Sequence, residues 1–158
     1  MESIIISANI DIHYNLNEGV LMELDKLGRD KMFYRICDID IPMMENKEDV
    51  LRDMSKITNP DFQDKNGVSY LHMACQAHSI EAIKILLDLG ANPNLNDKYG
   101  ASPITSALGR LNDNNPEILE IMLRNGLDLN KKEGTQTLKD WIMMFNDEEL
   151  NKIVRKYS

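Results

Sequence analysis

A unit of 33 residues occurs twice in this chain and constrains its fold more than any other feature. Asp64 is followed at that spacing by Asp97, and Gly67 by Gly100. Asp64 to Gly67 is turn chemistry, and Ser69 can cap a helix with its hydroxyl oxygen. Leu71, Ala74 and Cys75 then form an apolar stripe at helical spacing, broken at His78 and Ser79. A second stripe follows at Ile80, Ile83, Leu86 and Leu87, and Gly90 stops it. The next copy repeats the order. Ser102-Pro103-Ile104-Thr105 opens a helix with proline at its first position, where the missing N–H is harmless. Ile118, Ile121, Met122 and Leu123 form its second stripe, and Gly126 ends it. Asn130 answers Asn94 at 36 residues, so three extra residues fall in 111–115, between the two helices of the second copy.

A turn, a helix and a second helix in 33 residues resemble the ankyrin repeat family. Gly67, Ser69, Leu71-His72, Ala74, Leu86-Leu87, Gly90-Ala91 and Asn94 stand where that family has equivalent residues. Tyr70 departs from the pattern, which usually has proline there. The resemblance implies a mainly α chain, a short ankyrin-repeat solenoid of two clear repeats with degenerate repeats at the ends. It divides the chain into a non-ankyrin cap at 1–45 and a repeat domain at 46–158. The latter comprises a partial repeat at 46–63, repeats at 64–96 and 97–130, and a capping repeat at 131–158. In the family the turn tips and first helices bind other proteins. Its variable positions match Lys65, Asn66, Val68, Gln76 and Ala77, then Lys98, Tyr99, Ala101, Gly109 and Arg110. Tyr99 and Arg110 are the residue types favoured as interface anchors. Lys65, Lys98, Lys131 and Lys132 are expected to line successive tips as a basic edge.

The N-terminal cap is expected to be a strand–helix–strand unit. Residues 3–14 alternate with period two, apart from Ile5. Asn17 can cap a helix running through about Leu27 and ending at Gly28. Residues 31–41 alternate loosely at Phe33, Arg35, Cys37, Ile39 and Ile41 and read as extended before Pro42, with a helix through Met32, Phe33 and Ile36 as the alternative. At the other end Leu138, Trp141, Ile142 and Phe145 make a degenerate first helix. Asn146 and Glu149 form a capping box for a last helix whose Asn151, Lys152, Arg155 and Lys156 face outward.

Nothing in the pattern builds a catalytic centre. His72 is expected to hydrogen-bond a neighbouring loop, His78 to turn the chain and His13 to lie in solvent. No histidine and cysteine pair has zinc spacing, so no metal and no cofactor is expected. Glu117/Glu120 and Glu148-Glu149 read as helix-start carboxylates facing the dipole. The methionine pairs Met43-Met44 and Met143-Met144 read as packing, or else as adaptable contact surface.

The net charge of −8 disfavours nucleic-acid phosphates as partners. No apolar run reaches the roughly 20 residues of a membrane span. Met1-Glu2-Ser3 lacks the basic start of a secretory signal, and Cys37 and Cys75 read as reduced thiols, so a cytoplasmic protein is expected. The function expected is a non-enzymatic protein-binding module acting as a monomer or weak homo-oligomer, with an inhibitory or immunity-type role as its narrower form. The alternative is a structural subunit that self-associates through its N-terminal strands.

Overall fold

The computed structural model describes residues 11–15 and 20–158, with side chains from Leu24 onward. A hairpin of β1 (Asp11–Asn15) and β2 (Val20–Leu24) opens it, antiparallel, with Asp11 opposite Leu24 and Asn15 opposite Val20. Eight helices follow: α1 (Lys31–Cys37), α2 (Lys47–Met54), α3 (Tyr70–Gln76), α4 (Ile80–Asp88), α5 (Pro103–Leu108), α6 (Asn115–Arg124), α7 (Leu138–Met143) and α8 (Glu148–Tyr157). A short ladder of β3 (Lys132–Glu133) with β4 (Gln136–Thr137) precedes α7. The helices pair into four layers, α1/α2 to α7/α8. First helix packs on first helix, α1 on α3 and α3 on α5, and α4 lies against α2 and α6.

Local sequence explains each start. Ser69 accepts the His72 N–H while His72 accepts the Ser69 N–H, so α3 opens on a reciprocal capping box. Ser79 accepts the Ala82 N–H at 3.3 Å, and Pro103 begins α5. His78 adopts φ +53°, the left-handed turn expected of it. The stripes read from the sequence are inside: Leu71, Ala74, Cys75, Ile83, Leu86, Ile104, Ile118 and Met122 are buried in one continuous core. The three inserted residues lengthen the α5–α6 connection to 109–114, against 77–79 between α3 and α4.

Three expectations for the N-terminal part need correction. The helix from Asn17 to Leu27 is replaced over Val20–Leu24 by strand β2; Asn17 itself, and residues 3–10 of the first pattern, lie outside the described residues. The stripe Val20, Leu21, Leu24 serves a strand because β2 pairs along its length with β1. The extended reading of 31–41 gives way to helix α1 over Lys31–Cys37. Asp30 starts it, its carboxylate accepting the Met32 and Phe33 N–H groups at 2.9 and 3.3 Å. Met32, Phe33 and Ile36 turn one face to the core, which outweighs the influence of Pro42 five residues beyond the helix. The order in the first part is therefore strand, strand, helix.

Two corrections concern the last helices. The N-cap of α8 is Asp147, which accepts the Leu150 N–H at 3.0 Å, while Asn146 takes φ +53° as a turn residue. Asn151 is buried against the stack, whereas Lys152, Arg155 and Lys156 face outward. Glu120 likewise leaves its expected place: it lies beyond the first turn of α6 and bonds Lys156 at 2.7 Å.

Candidate protein-binding site

The first helices α3 and α5 are each entered through a tip whose geometry is fixed by one aspartate, whereas α7 follows the β3–β4 ladder. Asp64 Oδ1 accepts the N–H groups of Asn66 and Val68 at 2.8 and 2.9 Å, and Asp97 Oδ1 accepts those of Tyr99 and Ala101 at 2.8 and 3.0 Å. Both tips close with a backbone bond across the loop, Asp64 to Val68 and Asp97 to Ala101, each at 2.9 Å. The tips are also tied to one another, the Lys98 N–H donating to the Asn66 carbonyl at 2.8 Å.

Sequence reasoning missed a third such tip. Asp25 Oδ1 accepts from Leu27 and Arg29 at 2.8 and 3.0 Å, the loop closes at 3.0 Å, and the Lys65 N–H donates to the Leu27 carbonyl at 2.7 Å. Asp25-Lys26-Leu27-Gly28 repeats Asp64-Lys65-Asn66-Gly67 and Asp97-Lys98-Tyr99-Gly100, which was the available signal. Its spacing of 39 residues, not 33, conceals it. The six additional residues fall in the long α1–α2 connection. Arg29 joins the first two tips by an ion pair with the buried carboxylate of Asp64 at 2.7 Å. Asp25 is itself partly desolvated, which opposes ionisation. The Tyr34 hydroxyl and the Arg29 and Leu27 amides nevertheless hold its carboxyl below the usual range.

The sequence-predicted residues divide into two groups. Lys65, Lys98 and Tyr99 are exposed on the tips, while Asn66, Val68 and Ala101 are half-buried beside them. Val68 packs against the core, and the Asn66 and Ala101 carbonyls are occupied by Lys98 and His72. Gln76 and Arg110 are exposed at the far ends of α3 and α5, with Ala77 and Gly109 next to them, and Arg110 donates to the Gln76 carbonyl. A first helix of seven residues separates the groups by about 10 Å. Tyr99 stands out from the tips at 78% exposure, with the Lys98 ammonium 5.0 Å from its ring centroid.

The basic edge differs from its expected make-up. Lys131 is half-buried and donates to the Asn94 carbonyl, and that desolvation lowers its ammonium pKa. Lys26, Lys65 and Lys98 are the exposed lysines of the three equivalent tips, with Lys132 exposed on β3. Met43, Met44 and Met144 are exposed rather than packed, and only Met143 of the two pairs rests against the core. His72 Nε2 faces the Ala101 carbonyl at 3.1 Å, the inter-layer loop bond expected of it. Among the described residues no group of three or more His, Cys, Asp or Glu is placed to hold a metal ion. No helix among them is long and apolar enough to cross a membrane.

The arrangement offers contact surface, and comparison with known proteins agrees with it. A family model described as ankyrin repeats in three copies matches residues 43–133, more than half of the chain. The chain is 46% identical over 44 residues to SH3 and multiple ankyrin repeat domains protein 2 of Homo sapiens, covering 28% of this chain and 2% of that protein. It is 35% identical over 71 residues to SH3 and multiple ankyrin repeat domains protein 1 of Mus musculus, covering 44% and 3%. It is 28% identical over 117 residues to transient receptor potential cation channel subfamily A member 1 of Homo sapiens, covering 68% and 10%. The chain thus spans a tenth or less of the length of these relatives.

Proposed function

This chain belongs to the ankyrin repeat family, whose repeats are protein–protein interaction modules, and from that premise we propose that it is a non-enzymatic binder. It holds one protein partner against the tips and first helices of the concave face. The observation that carries this reading is the tip at Tyr99. A large, stiff aromatic with a hydroxyl is held out to solvent on a loop whose backbone is fixed by Asp97 and by the neighbouring tip. Such preorganisation lessens the ordering cost of binding. Lys65, Lys98 and Arg110 support it, and the role is that of an inhibitor or immunity-type protein acting in the cytoplasm. The second reading, self-association through the N-terminal strands, draws on the two-stranded β1–β2 sheet, in which each strand has one paired side among the described residues.

Co-purification from the native cell identifies the partner, and affinity is then measured with variants. Tyr99→Ala weakens binding by about 2 kcal/mol or more with stability nearly unchanged. Lys84→Ala, on the exposed side of α4, leaves affinity alone. The reverse pattern refutes the concave-face assignment. A light-scattering mass of two or more copies, reduced by changes in β1, favours the second reading.

A further inference from the structure

The first helices start at the tips and end at the opposite edge, where they turn into the second helices, and this edge is unlike the rest of the surface. Of the nine large hydrophobic side chains exposed among the described residues, six lie in these inter-helix connections: Ile41, Met43, Met44, Leu111, Met144 and Phe145. Single exposed apolar residues need no explanation, but their concentration on one edge does. Both long insertions fall there, 38–46 between α1 and α2 and 109–114 between α5 and α6. In repeat proteins insertions gather on one face, often a binding face.

The connections form one continuous relief. The short turn at 77–79 is the floor of a recess of about 490 Å³, walled by Ile41 on one side and Leu111 on the other. A second recess of about 750 Å³ runs from Leu111 to Phe145. Leu111, fully exposed, lines both and stands as the ridge between them. The floor is braced. His78 Nε2 meets the Ala107 carbonyl at 2.9 Å, Asn114 Nδ2 donates to the His78 carbonyl at 2.7 Å, and Asn115 Nδ2 to the Arg110 carbonyl at 2.8 Å. The rims are acidic: Asp38, Asp40, Glu45, Asp113 and Asp147 lie along the same connections, and Glu149, in the first turn of α8, lines the second recess. Three cations stand nearby: Lys47 pairs with Asp40 and Glu81, Arg35 with Glu45 and Asp53, and Arg110 keeps its charge while donating to the Gln76 carbonyl, so the six carboxylates are offset in part and still outnumber them.

We infer that this edge is a second docking surface, separate from the tips, and that it takes a basic amphipathic helix of another protein. Apolar anchors of that helix enter the two recesses on either side of Leu111, and its flanking lysines and arginines meet the acidic rims. The exposed Met43, Met44 and Met144 lie in the same connections, outside the recesses, and offer adaptable contact to such a ligand. Charge argues against a second copy of this chain, since two acidic rims on molecules of net charge −8 would face each other.

The test uses the whole chain and a fluorescein-labelled 18-residue peptide of leucine and lysine with leucines on one helical face. Fluorescence anisotropy is read against Leu111→Ser, Met43→Ser and Met144→Ser, each confirmed folded by circular dichroism. Saturable binding is expected, weakened at least tenfold by Leu111→Ser, weakened in high salt, and changed less than twofold by Tyr99→Ala. That last result separates this edge from the tip site, so either can fail alone. The inference is overturned if no saturable binding occurs or if the three serine variants bind as tightly as the unchanged chain. It is overturned equally if an all-lysine peptide binds as well, which shows charge attraction only. A dimeric mass that Leu111→Ser reduces to one copy would assign the edge to self-association instead.

Discussion

The Lys65 N–H donates to the Leu27 carbonyl at 2.7 Å, the same bond that Lys98 makes to Asn66 one layer on. Helix α1 therefore enters the stack as α3 and α5 do, from an aspartate-fixed tip. Phe33 on α1 is fully buried, its ring centroid 4.7 Å from that of Tyr70 on α3 and 6.0 Å from that of Phe62. The Tyr70 hydroxyl reaches back to the carboxylate of Asp30, the cap of α1.

Phe33→Ala is accordingly expected to destabilise the whole stack, by about 3–5 kcal/mol as for other buried aromatics. Urea unfolding followed by circular dichroism checks this. A midpoint that hardly moves would mean that α1 is an appendage to the repeats.

The same contacts show where the sequence was legible. Repeats at strict spacing, with Ser69 as a cap, Pro103 at a helix start and glycine at Gly67, Gly90, Gly100 and Gly126, could be read because each signal is local, although the Ser102 hydroxyl makes no capping bond. The N-terminal layer could not, because its register is shifted by the six residues before α2 and because Asp30 replaces serine as the cap. At 31–41 a loose alternation competed with the helical face Met32, Phe33 and Ile36, and tertiary burial decided between them. The site was half legible. Spacing placed Tyr99 and Lys98 on a tip, but the turning-in of Lys131 to Asn94 is a long-range contact with no local signature.

Gly67→Ala is expected to destabilise more than Gly90→Ala. Both positions have φ in the left-handed region, +76° and +95°, which an L residue enters at a cost of about 1–2 kcal/mol. A Cβ at Gly67 would also lie 3.0 Å from Asp97 Cα, in the backbone of the next tip, whereas nothing stands within 4 Å of one at Gly90. Thermal melts of the two variants give the comparison, and equal shifts would mean that the tips can spread.

Cys75 and Cys37 are both free thiols, but they differ in access. Burial pushes the Cys75 thiol far up, while Cys37, half-buried beside Asp38, is raised less completely. A thiol reagent at neutral pH is expected to label Cys37 slowly and Cys75 only in denaturant, giving one and then two adducts by mass. Two adducts on the native protein would show that α3 opens locally.

His72 links stability to pH. Its Nδ1 accepts the Ser69 N–H at 3.1 Å, which leaves the proton on Nε2 to face the Ala101 carbonyl at 3.1 Å. A second proton, on Nδ1, would set donor against donor inside the stack. Burial lowers the pKa of this imidazole, outweighing the bond to Ala101 and the nearby Asp97 that favour the charged form. The unfolded chain therefore takes up the proton first, near pH 6.5, and the folded protein only at lower pH. Stability is complete above about pH 6.5 and declines as pH falls toward the folded value, below which this group contributes no further loss. His72→Gln is expected to be less stable at pH 7.5 and to show a smaller decline between pH 6.5 and 5, a window above the ordinary carboxylate range. Urea midpoints at several pH values measure the difference. The His72 imidazole proton signal should titrate below the ordinary histidine range. A midpoint at or above 6.5, or equal slopes for the two proteins, refutes the assignment of a neutral, doubly bonded His72.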